Sequence, residues 1–115
     1  MIRTLFYYKN YFEDFIEKQT LKVKKKIFWV LGIIENERFI PETYFKPIRE
    51  GIYEIRVQNG NNKFRIFCFF DSDKLVILMN GFQKKTQKIP IKEIEIAIKI
   101  KKEYENEKSN TNRRT

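Results

Sequence analysis

The chain has 115 residues, 42% of them hydrophobic and 16% aromatic, which suits one domain with a real core and excludes a disordered chain. Its net charge of +9 and pI near 9.7 favour a polyanionic partner, namely nucleic acid, a ribosome, an acidic protein or a membrane surface; the rival reading is a lysine-rich compositional bias, which charge alone does not exclude. With no histidine and one cysteine, Cys68, the sequence excludes an internal disulfide, zinc sites and Cys–His or Ser–His catalysis, and the lone thiol suits a reducing cytoplasm.

The opening "MIRTLFYYKN" lacks the long apolar region and cleavage site of a signal peptide. No apolar run reaches the ~18 residues that a membrane span needs, so no membrane partner is expected. "IRTLFYY" is β-rich and reads as a first strand. "YFEDFIEKQ" sets Phe12, Phe15 and Ile16 on one helical stripe. Thr20 can cap a second helix whose face carries Val23, Ile27, Val30, Leu31 and Ile34. "NERFIPETYFKPIREG", with its two prolines, reads as a connecting loop. Three antiparallel strands follow, "IYEIRVQ", "KFRIFCFF" and "LVILMNGF", joined by the hairpin signal "NGNN" and by "DSDK". The segment "KEIEIAIKIKKEYENEK" carries two periods. Ile94, Ile96, Ile98 and Ile100 alternate as in a strand, whereas Ile91, Ile94, Ala97, Ile98 and Tyr104 form a helical stripe. Its length and Pro90 favour a helix. Ile96 and Ile100 then need a second partner, either the sheet or another protein. The expected fold is α+β with the order β-α-α-β-β-β-α. An antiparallel sheet carries the helical hairpin on one face, leaves the other partly open, and is followed by a C-terminal helix. Residues 1–105 form the domain, and 106–115 a flexible polar tail.

Strand alternation sorts the side chains. With Gly60-Asn61 as the hairpin loop, Arg56 lies opposite Arg65. With Ser72-Asp73 as the next loop, Arg65 faces Asn80 and Phe67 faces Leu78. One sheet face then collects Glu54, Arg56, Arg65, Phe67, Asn80, Phe82 and Lys84. Like charges across a strand pair repel, and an anion between them relieves the repulsion. Cations bind phosphate oxygens and aromatics stack on unpaired bases. The rival reading is a solvated basic face with Glu54 pairing one arginine.

The stretch "GIYEIRVQNGNNKFRIFCFFDSDKLVILMNGFQKKTQKIPIKEIEIA" resembles the HigB-type, phage-derived branch of the RelE/ParE toxin superfamily. That branch carries a Leu-Tyr/Trp-Glu-Leu-Arg strand, a Tyr-Arg-Ile strand and a His-Gly-Phe-x-Lys-Lys-Thr-x-Lys-x-Pro ending before a helix. The likeness is strongest from Gly51 to Ala97, and "GFQKKTQKIP" is its most specific part. It implies a RelE-like fold and the toxin of a type II toxin–antitoxin module. Such toxins are ribosome-dependent mRNA endoribonucleases, neutralised by a helix-turn-helix, HigA-type antitoxin. The implied partners are therefore that antitoxin, mRNA and the 70S ribosome, with no metal and no small-molecule cofactor. Arg56, Arg65, Lys84 and Lys85 fall on the family's cationic positions and are the expected catalytic residues. Glu54, Phe67, Asn80, Phe82, Gln87 and Lys88 are the expected substrate contacts. Asn80 stands where many relatives have His, and Phe64 replaces their Tyr. The expected chemistry is attack of the RNA 2′-hydroxyl on its neighbouring phosphate. Arg56 and Arg65 would hold the phosphate charge, and Lys84 or Lys85 would act as base. Glu54 would orient Arg56 or act as base itself, and Phe67 or Phe82 would stack on a base. The alternatives are a ParE-like gyrase inhibitor, a non-catalytic RNA-binding domain, and a decayed toxin.

Overall fold

The computed structural model describes residues 1–113. The order is β1 (Thr4–Tyr7), α1 (Tyr11–Glu17), α2 (Leu21–Asn36), β2 (Phe45–Arg49), β3 (Ile52–Asn59), β4 (Asn62–Ser72), β5 (Leu75–Lys84) and α3 (Ile91–Arg113). The architecture is α+β, as the sequence predicts, with one more strand than expected. β2 lies inside the segment read as a loop. Pro47 does not forbid it there, because β2 is an edge strand and its outer side makes no ladder bonds. Arg49 pairs with Ile52 across a turn in which Glu50 and Gly51 both have positive φ, 52° and 77°. That is the backbone of a tight hairpin turn.

The sheet order is β1-β5-β4-β3-β2. It is mixed rather than wholly antiparallel, because β1 runs parallel to β5. Nothing local in "IRTLFYY" encodes that pairing; it depends on α1 and α2 carrying the chain back across the sheet. The Thr20 hydroxyl caps α2 by accepting from the Val23 amide. All five residues of the stripe predicted for α2 are buried, and with Phe12 and Phe15 they pack on Ile55, Val57, Phe64, Ile66, Cys68, Val76 and Leu78.

The second sheet face is not open. α3 covers it and packs on Ile52, Phe67, Phe69, Ile77 and Met79 through Ala97, Ile100 and Tyr104. The two apolar sides of this segment are thus absorbed largely by the domain itself. The helix also runs to Arg113, through most of the stretch expected to be a loose tail. Ion pairs Lys108–Asp71 and Lys9–Glu107 tie that stretch to β4 and to the turn after β1. Arg114 and Thr115, the last residues of the expected tail, lie outside the described residues.

The β4–β5 ladder departs from the predicted register. Ser72 pairs with Leu75, so the loop is Asp73-Lys74, and Arg65 pairs with Phe82 rather than Asn80. Two bulges interrupt the ladder, one setting Met79 and Asn80 against Phe67, the other setting Asp71 outside the pairs Phe70–Val76 and Ser72–Leu75. Each extra residue reaches α3. The Asn80 amide donates to the Glu93 carbonyl and side chain at 3.2 and 3.1 Å, and Asp71 accepts from the Tyr104 hydroxyl and pairs with Lys108.

Candidate functional site

The β3–β4 hairpin sets Arg56 directly opposite Arg65, in the predicted register. Two guanidiniums facing across a strand pair need a counter-charge, and Glu54 supplies it. Its Oε1 lies 3.1 Å from Arg65 Nε and its Oε2 lies 3.8 Å from Arg56 Nε. Glu54 and Arg65 are each only 4% exposed, whereas Arg56 is half-buried. Arg65 Nη1 also donates to the Phe64 carbonyl at 3.0 Å, and Arg56 Nη1 to the Glu42 carbonyl at 3.3 Å. Arg65 is therefore a fixed cation inside the site and Arg56 the one that meets solvent. Burial pulls the Arg65 guanidinium below its ordinary value, Glu54 pulls it back, and Arg56 adds to the lowering.

β5 completes the cluster at its C-terminal end. Phe82 pairs with Arg65, and Lys84 pairs with Lys63. Gly81 points to the opposite face, where a Cβ would sit 2.5 Å from the Phe15 ring of α1. The glycine of the "GF" pair thus lets α1 close on β5 while Phe82 turns to the cationic side. The Lys84 ammonium is held below the ordinary lysine value, first by desolvation and then by Arg65, with Lys63 and Arg56 adding to it and Glu54 opposing. Lys63 is a functional candidate the sequence reading missed. The signal was present: the Asn59–Asn62 pairing that sets Arg56 against Arg65 also sets Lys63 against Gln58 on the same face.

The expected residues divide accordingly. Glu54, Arg56, Arg65, Phe82 and Lys84 come together. Phe67 does not join them as a base-stacking residue, because it has no exposed surface beneath α3 and its ring lies 5.3 Å from that of Phe82. Asn80 is 8% exposed and its amide is engaged by Glu93, so it anchors α3 rather than facing Arg65. Lys85, Gln87 and Lys88 are exposed on the segment between β5 and α3, outside the cluster.

A groove of about 360 Å³ opens beside the cluster and is lined by Arg56, Arg65, Lys63, Gln58, Lys26 and Tyr44 among others. It exists because β2 begins at Phe45, opposite Ile55, which leaves the outer edge of β3 unpaired beyond Arg56. Residues 14–102 match the family described as "Phage derived protein Gp49-like (DUF891)". The chain belongs to that family. The Gp49-like match includes every residue of the cluster and all those named in the groove. No curated protein matches the chain. Among its described residues, no helix is long and apolar enough to cross a membrane.

Proposed function

We propose that this Gp49-like chain is the toxin of a type II toxin–antitoxin module, and that it stops translation by cutting mRNA held on the ribosome. One observation carries the reading: three adjacent strands gather Arg56, Arg65, Lys63 and Lys84 around one carboxylate, Glu54. That arrangement suits a phosphodiester whose charge grows during reaction. The HigB-type resemblance of "GFQKKTQKIP" supports the same reading, as does the family. A helix-turn-helix antitoxin is the expected neutralising partner.

In this mechanism Lys84 Nζ removes the proton of the RNA 2′-hydroxyl. Its lowered pKa leaves more of it neutral and able to accept that proton. The 2′-oxygen forms a bond to phosphorus and the bond to the 5′-oxygen breaks. The leaving oxygen takes a proton from solvent water, so the products are a 2′,3′-cyclic phosphate and a 5′-hydroxyl. Arg65, locked by Glu54 and the Phe64 carbonyl, stabilises the negative charge on the phosphorane without having to reorganise. Arg56 receives the phosphate from solvent. Phe82, partly buried beside Arg65, offers a ring edge to the neighbouring nucleotide. The ribosome holds the RNA in line for attack.

The test is to map RNA ends in a translating extract. New cyclic-phosphate ends should appear with the wild-type chain. Lys84→Ala and Arg65→Ala should each lower their yield by about 10²-fold or more. Undiminished cleavage in both variants would sink this site, and inhibited DNA supercoiling without any cut RNA would replace the reading with gyrase inhibition.

A further inference from the structure

The groove extends the cluster away from the scissile position, along the open edge of β3 and up to α2. Its walls are unlike the cluster. Tyr44, just before β2, accepts the Arg56 amide through its carbonyl at 2.8 Å and holds its ring edge-on to Trp29 of α2, with centroids 5.8 Å apart. Lys26, one helical turn before Trp29, sets its ammonium 4.6 Å from the centre of the indole ring. Trp29 itself is 54% exposed, although α2 has a full apolar face already buried on the sheet. A large exposed indole, packed on the tyrosine and the lysine that line a groove shared with Arg56 and Lys63, has no task in the core. Aromatic faces next to cations suit one ligand chemistry well: a base joined to a phosphate. Because Arg56 gives its amide to Tyr44, strand alternation turns the Gln58 backbone toward the same open edge, where it can serve a base or sugar.

We infer that the groove lined by Lys26, Tyr44 and Gln58, with Trp29 packed against its Lys26 and Tyr44 walls, binds a nucleotide of single-stranded RNA adjoining the phosphate held by Arg56 and Arg65. Lys26 and Lys63 contact the flanking phosphate, and Tyr44 and Trp29 receive the base. The inference rests on the RNA reading of the cluster, and it assigns the substrate a second point of attachment. It follows that the strand is held on both sides of the Arg56–Arg65 pair, and that binding does not require an RNA end.

Trp29 is the chain's one tryptophan, so all tryptophan emission comes from beside this groove. The experiment titrates the full chain with a short RNA made uncleavable by a 2′-deoxy sugar at its centre. It follows Trp29 emission and, separately, the anisotropy of a labelled copy. Saturable quenching of Trp29 with the same midpoint as the anisotropy is expected. Lys26→Ala should weaken binding and flatten its log–log salt dependence by about 0.7, the slope for one single-strand phosphate contact. Tyr44→Ala should weaken binding roughly tenfold with the salt slope unchanged, as loss of base stacking requires. Binding seen by anisotropy without any change at Trp29, or with full affinity in both variants, overturns the inference. So does the absence of any binding. Inorganic phosphate that quenches as well as the oligonucleotide shows that no base is held, and a poly-glutamate peptide that binds equally well assigns the groove to a protein; either result overturns it. Cleavage assays on mRNA are independent of these readings. A chain that cleaves but leaves Trp29 silent defeats the groove alone, and one that quenches but never cleaves defeats the catalytic reading alone.

Discussion

Glu54 is the residue on which the site turns. It separates two guanidiniums that would otherwise repel across the β3–β4 ladder, and it is nearly devoid of solvent. Glu54→Gln keeps the shape but leaves Arg65 buried without its counter-charge. We expect a loss on the order of 3 kcal/mol in stability, read by chemical denaturation, because one partner of a buried pair is removed. Lys84 gives a second prediction at this scale. Its folded pKa lies below 10.5, the ordinary lysine value, so its charge costs stability. That cost is complete below the folded value and fades as pH rises toward the unfolded one. The cleavage rate should therefore climb with pH to a plateau with a midpoint below 10.5. Lys63→Ala removes one of the charges that depress Lys84, so the midpoint should move upward. An unchanged pH–rate profile would remove Lys84 from the role of base.

At the scale of elements, β5 must satisfy two neighbours at once. Val76 and Leu78 face α1 and α2, while Ile77 and Met79 face α3. Phe67 on β4 lies wholly under α3. Phe67→Ala should cost about 3–5 kcal/mol, the range for an emptied core aromatic. The loss should show as a shifted denaturation midpoint rather than as weaker RNA affinity at low temperature. Gly81→Ala should cost about 1–3 kcal/mol, because the added methyl meets the Phe15 ring. These elements also show what was legible beforehand. Arg56 against Arg65 could be read from "NGNN", since a two-residue turn fixes register along the whole hairpin. Alternation along the end of β5 puts Phe82 and Lys84 on the cationic face, although the loop predicted at Ser72-Asp73 pairs Arg65 with Asn80 and the structure pairs it with Phe82. The partners of Asn80 and Phe67 were not legible, because a bulge has no clear mark in the sequence and coverage by α3 is a long-range event. β2 was hidden by Pro47, which signals a loop unless the strand is known to lie at an edge.

Across the whole molecule, one sheet is shared by two apolar cores, with α1 and α2 on one side and α3 on the other. Neither core can open without stripping the central strands, so unfolding should be a single cooperative transition. Trp29 emission, reporting on α2, and far-ultraviolet circular dichroism, weighted by the 23 residues of α3, should give the same midpoint. A dichroism transition that precedes the emission change would show that α3 departs first. The two bulges bear on how this family can vary. Asn80 and Asp71 are each supernumerary to the β4–β5 ladder, and each spends its side chain on α3. Strand pairing therefore places no demand on which residue stands at either position. A change at either position would loosen the hold on α3 while every pairing that positions Arg65 and Lys84 stays as it is. Asn80 thus answers to the helix that crosses the sheet and not to the strands on either side of it.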